Sequence, residues 1–368
     1  MRQWRWLWSC CPGIGPVRLR ALEAEAQAKG MGLDDCWRLP RDQLREMLGW
    51  SSSLLDRIEG YRARCGVNPD LRVPTDLVMV GDDTWPSLLD RIDRPPLGLF
   101  LRGKRSLLSC LQKRQAVAVI GTRAASAHGQ RMAFHLSQQL AVEGWPVLSG
   151  LAEGIDAAAH RGCLEAGGSP VAILGTALNR VYPRHHESLQ AAVGHSGLLI
   201  SEHPPGTSIQ RGHFASRNRL LVALACAVVV IECPEQSGAL ITARIAASDG
   251  CPVWVVPGDA LRWSVKGSNA LLGDGATPLT SSDVLIRHLG PGPLATGQAQ
   301  PLGVKESRPS LSCSQRDLLK LLDQGASVEA LSLLQGCSVG CVVRDLLHLE
   351  VNGLAVCYEG NSWHSVQH

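Results

Sequence analysis

Residues 117–126 read Val-Ala-Val-Ile-Gly-Thr-Arg-Ala-Ala-Ser, a short apolar run followed at once by small residues and one arginine. The run predicts a buried strand over Val117–Ile120 and a tight turn at Gly121. We expect a helix from about Ala127, with its first backbone N–H groups pointing at an anion above the strand. The stretch lacks the pattern G-x-G-x-x-G, so taken alone it favours a plain connector over a phosphate site.

The same alternation of strand and helix continues from about residue 75 to residue 290. Further apolar strands are predicted near residues 146–149, 171–174, 198–201, 227–231 and 252–256. Because nearly continuous apolar strands are typical of parallel sheets covered on both faces, we predict an α/β fold. The prediction is a Rossmann-like, doubly wound, mostly parallel sheet over residues 73–289, with ligands at the carboxyl ends of its strands.

Smaller domains are predicted on both sides of this sheet. Residues 1–72 have helical patterns, and Pro12–Pro16 suits the turn of a helix-hairpin-helix (SAM-like) domain that holds a DNA phosphate, or equally a plain helical hairpin. Residues 290–310 are rich in Pro, Gly, Gln and Ser, which predicts a flexible linker. Residues 311–368 predict a winged-helix domain. Its helices are expected at 315–322, 328–334 and 338–350, and its hairpin at 354–366.

Composition limits the classes of function. The 368 residues are 45% apolar and 19% charged, which is typical of a folded globular protein. The formal net charge is only +3, so a nucleic-acid site must be local. The longest apolar run, Leu220–Ile231, is too short to cross a membrane, and the N-terminus lacks a clear signal peptide. We therefore expect a cytoplasmic protein with no membrane partner.

The sequence predicts neither a metal ion nor a cofactor. The 13 cysteines are scattered without a C-x-x-C pair, and Cys337 and Cys341 have no second pair nearby. Adjacent His185 and His186 point to different faces and are predicted in a solvated loop. The P-loop pattern for ATP hydrolysis is also absent.

Polar residues follow several of the predicted strands. After the second strand, Ser149 and Gly150 offer a hydroxyl and a close backbone approach, and Asp156 and His160 are four residues apart on a helix. A catalytic acid–base pair is conceivable there, but a helix-stabilising pair or a buried hydrogen bond is favoured.

The segment 201–219 contains three arginines, two histidines and Phe214 ahead of a predicted apolar helix. Arginines that bind phosphates and an aromatic ring that stacks on a base fit single-stranded nucleic acid. An ordinary surface loop is the alternative. Ser237–Gly238 and Lys266–Asn269 add a second amide nest and a cation to the same edge, or serve as helix caps.

Together these motifs closely resemble the DNA-processing protein A (DprA/Smf) family, and the resemblance covers about residues 75–290. It rests on an ordered series of short matches: 85–89, 95–97, 120–123, 149–152, 154–156, 159–160, 182–183, 201–202, 204–206, 214, 217–219, 237–238, 240–243, 256–258, 267 and 269. The chain departs from the family pattern at Ala215, where proline is usual, and at Ala223 and Ala225, where glycine and serine are expected.

The resemblance implies a pocket for single-stranded DNA. Arginine, lysine and aromatic side chains would line it, with backbone and hydroxyl contacts from the strand ends. The predicted binding residues are Gly121, Thr122, Arg123, Ser149, Gly150, Arg211, Phe214, Arg217, Asn218, Arg219, Ser237, Gly238, Thr242, Lys266 and Asn269.

The resemblance further implies a homodimer without enzymatic activity that protects incoming single strands and helps load RecA in DNA-mediated transformation. It would receive strands from single-strand-binding protein. A nucleotide hydrolase related to lysine-decarboxylase-like enzymes is an alternative, but their P-G-G-x-G-T turn is replaced here by Glu235–Ala239. A winged-helix transcription regulator is a third reading, and it rests on residues 311–368 alone.

Overall fold

The computed structural model describes residues 1–66, 68–295, 311–322, 325–351, 354–358 and 362–365. The chain divides into two compact units, one before residue 300 and one from residue 300 onward. The predicted linker and the predicted hairpin turn at 359–361 lie largely outside the described residues, and the predicted domain boundaries stay predictions.

The N-terminal segment is helical, as its pattern predicts. Its helices are α1 (Arg2–Ser9), α2 (Pro16–Ala28), α3 (Leu33–Arg38), α4 (Arg41–Leu48) and α5 (Ser52–Cys65). Trp8 and Trp37 pack edge to face at 5.1 Å between ring centroids and form the centre of a separate apolar core. Gly13, with a φ of +93°, makes the turn between α1 and α2, and its phosphate-binding role stays a prediction.

A nine-stranded sheet forms the centre of the first unit. Its strands are β1 (Leu77–Met79), β2 (Gly98–Gly103), β3 (Val117–Ile120), β4 (Val147–Ser149), β5 (Pro170–Leu174), β6 (Leu198–Ser201), β7 (Ala227–Val230), β8 (Val253–Val255) and β9 (Thr277–Pro278). Their spatial order is β1-β2-β6-β5-β4-β3-β7-β8-β9. Only the pairings β1–β2 and β2–β6 are antiparallel in this sheet as described. This confirms the predicted α/β, mostly parallel sheet.

Helices cover both faces of the sheet. They are α6 (Leu108–Gln112), α7 (Ala127–Val142), α8 (Ile155–Glu165), α9 (Glu187–Ser196), α10 (Arg211–Leu224), α11 (Gly238–Ser248), α12 (Lys266–Gly273) and α13 (Ser282–Leu289). Alternate residues of β3 face opposite layers: Val117 and Val119 pack with α7 and α8, whereas Ala118 and Ile120 pack with α10 and α11. The sheet is therefore doubly wound.

The order of strands reverses at β3. From β3 the chain runs outward through β4, β5 and β6, and it then returns to place β7 on the other side of β3. In open α/β sheets such a reversal opens a crevice at the carboxyl ends of the two diverging strands. The loops after β3 and β7 therefore flank the position where a ligand is expected.

Two of the sequence predictions need correction here. The chain between β6 and β7 was predicted as a loop through Arg219, but α10 already begins at Arg211. Its first residues are polar because they meet a polar pocket, while Leu220–Leu224 enter the core. Strands β1, β2 and β9 were not predicted; β1 and β9 are the edge strands and have three and two residues.

The described residues of the second unit form three helices and a three-stranded antiparallel sheet. Its elements are α14 (Cys313–Leu321), β10 (Ala326–Ser327), α15 (Val328–Gln335), α16 (Val339–Val351), β11 (Ala355–Tyr358) and β12 (Ser362–Ser365). In the described parts of the chain, no single helix is long and apolar enough to span a membrane; α15 and α16 up to Glu350 reach that length and hydropathy only as a pair, bent by 111°.

Candidate nucleic-acid interface

A pocket of about 450 Å³ opens at the carboxyl edge of the sheet, where the strand order reverses. Its walls come from the turn after β3, the loop after β7 and the first turns of α10 and α11. Ten of the predicted binding residues line it: Gly121, Thr122, Arg123, Arg211, Phe214, Arg217, Asn218, Ser237, Gly238 and Thr242. Sequence positions more than a hundred residues apart are thus brought to one site.

Arg123 and two aromatic rings form a row beside the pocket. The guanidinium carbon of Arg123 lies 5.5 Å from the centroid of the Phe214 ring, a cation–π distance. The Tyr182 ring, 44% exposed, has its centroid 5.0 Å from that of Phe214, with the two ring planes tilted by 45°. A guanidinium beside aromatic faces can bind a phosphate and stack on a base. Tyr182 belongs to one of the matched motifs, 182–183, but was not among the predicted binding residues; its place in that motif was the signal that could have added it.

Helix α10 presents its polar face to the pocket. Arg211, Phe214 and Arg217 are three residues apart, so they lie on one side of the helix. Arg211 is exposed, Phe214 is half-buried and Arg217 is buried. The helix thus places one cation at the mouth and another at the floor. Ala215, which replaces the usual proline, is also part of the pocket wall.

Arg217 is held by backbone oxygens at the floor. Its Nη1 donates to the carbonyl of Gly150 at 2.9 Å and to that of Ile173, and its Nε donates to Asn218 Oδ1 at 3.2 Å. Burial lowers the pKa of Arg217 to about 10, against the opposing effect of Asp156, so the side chain is a cation at neutral pH. Because Nη1 and Nε already donate to protein oxygens, Arg217 acts on a ligand mainly through its positive charge.

Ser149 and Gly150 support the floor from behind. The Ser149 hydroxyl is fully buried and donates to the carbonyl of Val119 at 2.6 Å. A Cβ at Gly150 would lie 2.2 Å from the Arg217 guanidinium, so any side chain there would displace the arginine. The structure therefore gives both residues packing contacts, where direct contacts with DNA were predicted.

Of the two favoured readings for Asp156 and His160, the structure supports a buried hydrogen bond at Asp156 and shows no pairing of the two side chains. Asp156 accepts hydrogen bonds from the backbone N–H groups of Gly150 at 3.1 Å and Ala152 at 3.4 Å. Burial raises the pKa of Asp156, and Arg217 opposes this. His160 is fully buried, and neither ring nitrogen has a hydrogen-bond partner among the described residues. Burial lowers the pKa of His160 to about 3, so this side chain is neutral and faces the core.

The prediction that His185 and His186 share a solvated loop is half wrong. His185 is exposed and lies 3.2 Å from Glu153. His186 is buried, and its Nδ1 is 3.1 Å from the carbonyl oxygen of Leu151. The ring ties the turn before α9 to the turn after β4, a contact that only the tertiary fold creates.

The N-termini of α7 and α11, two of the helices that begin at this edge, differ. At α7, Glu232 accepts hydrogen bonds from the backbone N–H and the hydroxyl of Ser126, both at 2.9 Å, so a carboxylate of the protein already meets this end. At α11, Ser237 caps Ala239 at 3.2 Å, and residues 237–239 face the pocket. The second terminus is therefore the one open to an anionic ligand.

The remaining predicted residues lie beside the pocket. Arg219 is engaged with Glu202 at 2.7 Å and with the carbonyl of Arg94 at 3.0 Å. The Asn269 amide binds both backbone polar groups of Gly258, at 3.2 and 3.0 Å. Lys266 is exposed at the start of α12. Of these three side chains, Lys266 is the one placed for contact with a ligand.

Comparisons with known proteins agree with this geometry. The family model for DNA recombination-mediator protein A matches residues 76–290. The chain is 33% identical over 309 residues to protein Smf of Synechocystis sp., with 81% of this chain and 75% of that protein covered.

Two solved structures are similar in fold. DNA processing protein A of Streptococcus pneumoniae matches with a TM-score of 0.64 and 28% identity, over 78% of this chain and 97% of that one. The Helicobacter pylori protein, whose structure concerns its single-stranded DNA binding mode, matches with a TM-score of 0.52 and 28% identity, over 58% and 95%. The chain therefore belongs to the DNA recombination-mediator protein A family.

Proposed function

We propose that this protein is a non-catalytic, single-stranded DNA-binding mediator of recombination. It protects incoming strands and helps load RecA during DNA-mediated transformation. The observation that carries the proposal is the row of Arg123, Phe214 and Tyr182 beside a pocket at the reversal of the sheet. The related Helicobacter pylori protein, known for its single-stranded DNA binding mode, supports it.

The chemistry of the pocket favours a flexible strand over a small metabolite. Arg123 and Arg211 bind phosphates, Ser237 and Gly238 offer backbone donors, and Phe214 stacks on a base. None of these contacts reads the edge of a base, so binding tolerates changes of sequence. Because phosphate contacts release counterions, affinity falls as salt rises.

The absence of catalysis is part of the proposal. Asp156, the carboxylate in the pocket wall, is engaged by two backbone N–H groups and lies beside the Arg217 cation. These hydrogen bonds to the backbone give Asp156 a structural role. Release of base from a nucleoside monophosphate would instead support the nucleotide-hydrolase alternative.

The partners follow from the same reading: single-stranded DNA, RecA, single-strand-binding protein and a second copy of this chain. We likewise propose a winged-helix domain over 311–368, since three helices and a small antiparallel sheet support that fold.

The test is RecA loading on circular single-stranded DNA coated with single-strand-binding protein. RecA's DNA-dependent ATP hydrolysis is followed with and without this protein. The wild type should shorten the lag, and a double change Arg123→Ala with Arg211→Ala should not. The control is Arg131→Ala, an exposed arginine on α7 outside the pocket lining. If the wild-type protein binds single strands but the lag is the same with and without it, the mediator role is overturned.

A further inference from the structure

The loop between β8 and α12 exposes a large aromatic side chain at the same edge as the pocket. Trp263 is 65% exposed, in a short 3-10 turn over Trp263–Val265. It stands between Arg262 and Lys266 in the sequence, both of them exposed. The neighbouring Leu261 is 91% exposed. An exposed tryptophan between two cations is the composition of a nucleic-acid stacking surface.

The sheet places this loop next to the pocket. Strands β3, β7 and β8 are parallel, with Ile120 opposite Val230 and Val230 opposite Val255. Two strand spacings of about 4.8 Å therefore separate the carboxyl ends of β3 and β8, a distance of about 10 Å. The Arg123 turn and the loop that carries Trp263 consequently leave the same edge of the sheet, on either side of the loop after β7.

Several contacts hold the loop in one conformation. Arg262 Nη2 lies 3.4 Å from Glu232 Oε1, and Glu232 also holds the N-terminus of α7. Burial opposes ionisation of Glu232, but hydrogen bonds from Ser264 and Ser126 hold its pKa below the ordinary value, so the carboxylate is charged. A base platform that is already fixed loses little conformational entropy on binding.

The start of α12 packs against the chain segment that forms one wall of the pocket. The backbone N–H of Ser268 donates to the carbonyl of Cys233 at 2.9 Å. A Cβ at Gly267 would lie 2.6 Å from the carbonyl oxygen of Pro234, a residue of the pocket wall. Lys266 precedes Gly267 and therefore lies at the rim of the pocket. It is three residues after Trp263, so it lies between Trp263 and the pocket wall along the chain.

We propose that Trp263 is a second nucleobase-stacking site and that Lys266 binds a phosphate between it and the pocket. A strand held at Arg123 and Phe214 would thus continue over the carboxyl ends of β7 and β8. This inference rests on the proposed function, because it extends the path of the same strand. A protein partner docking on apolar surface would use Leu261 as much as Trp263, whereas base stacking uses only the aromatic ring.

The test measures anisotropy of labelled oligo-dT of about 6 and about 20 nucleotides, lengths chosen to fill one or both sites. The full-length wild type is compared with Trp263→Ala, Trp263→Phe, Leu261→Ala and Arg123→Ala. We expect Trp263→Ala to lose about 10-fold in affinity for the longer strand and less than about 2-fold for the shorter one. Trp263→Phe should retain most of the affinity, and Leu261→Ala should match the wild type.

Each outcome separates this inference from the function on which it rests. One outcome is that Trp263→Ala and wild type bind the longer strand equally well, whereas Arg123→Ala loses affinity for both strands. That outcome would overturn the stacking site and leave the proposed function intact. Equal losses for Leu261→Ala and Trp263→Ala would point to an apolar docking surface and also overturn it. A wild type without preference for single strands would instead refute the proposed function, and the second site with it.

Discussion

Arg217 and Asp156 line the inner part of the pocket and are 4% and 7% exposed. Each affects the pKa of the other, and both form hydrogen bonds with backbone groups of Gly150. Removing the Arg217 side chain takes its hydrogen bonds away from buried carbonyl oxygens, which costs about 1–3 kcal/mol. A change at Arg217 therefore reports on folding as well as binding, whereas Arg123 is exposed and reports on binding.

His160 makes stability depend on pH. Its pKa is lowered to about 3 by burial, with smaller effects of Arg217 and His186, against about 6.5 in an unfolded chain. Because the folded state disfavours the protonated ring, the stabilisation is complete above about pH 6.5 and is lost as pH falls toward about 3. From about pH 7.5 to about pH 5.5, this group should remove about 1.4 kcal/mol from the free energy of unfolding.

The measurement is urea unfolding at the two pH values for the wild type and His160→Leu. Leucine loses no hydrogen bond here, since neither ring nitrogen has a partner in the described chain. We expect the variant to lose about 1.4 kcal/mol less than the wild type over this interval. The control is His128→Leu at an exposed histidine. It should show the same difference in unfolding free energy between the two pH values as the wild type. Identical pH dependence in His160→Leu and wild type would contradict the assignment.

At the scale of single residues, the sequence predicted which residues lie at the site better than it predicted which of their side chains are buried. Arg123, Arg211 and Phe214 could be named because each follows a strand or opens a helix at the ligand edge. Arg217 and His186 could not be recognised as buried, because their backbone partners, Ile173 and Leu151, lie on other loops and strands. Burial of a polar side chain depends on such distant partners, which local composition does not reveal.

Among the elements, α7 and α8 cross with their backbones in close contact. A Cβ at Gly162 of α8 would lie 2.1 Å from the carbonyl oxygen of Phe134 in α7. We expect Gly162→Ala to destabilise the protein by about 2–3 kcal/mol, since either helix must shift to admit the methyl group. Thermal unfolding measures the effect. Because α7 follows the turn that carries Arg123, single-strand affinity should fall as well.

Gly60 in α5 provides a matched helical control. The nearest atom to its added Cβ is Arg64 Nη1 at 3.8 Å, an ordinary contact. Gly60→Ala should therefore stabilise the chain by up to about 1 kcal/mol through helix propensity. Equal melting shifts in the two variants would show that the α7–α8 contact is not as close as described.

Strong apolar runs explain which elements could be predicted. Strands β3 to β8 are buried on both faces and read as continuous apolar segments, so each was found. The start of α10 was missed because its first turns carry two arginines that line a polar pocket and a histidine that stacks on His203. Strands β1 and β9 are too short to show a recognisable pattern of apolar residues.

At the scale of the whole chain, the C-terminal unit offers little charge for reading duplex DNA. On α16, the helix expected to enter a groove, Val339, Val343 and Leu347 are exposed on one side, and Arg344 is 75% exposed. A DNA-reading helix presents several polar or basic side chains. We expect Arg344→Ala to leave affinity for single and double strands within about 2-fold of the wild type. A larger, sequence-dependent loss on a duplex, measured by anisotropy, would favour the transcription-regulator reading.

The central claim is that single-stranded DNA binds at the carboxyl edge of the sheet through Arg123. The most direct measurement is fluorescence anisotropy of labelled oligo-dT and an equal-length duplex across a salt titration, for wild type, Arg123→Ala and the control Arg131→Ala. We predict single-strand preference in the wild type, and a slope of log affinity against log salt that is about 0.7 shallower in Arg123→Ala alone. Equal affinities and equal slopes in all three proteins would contradict the account.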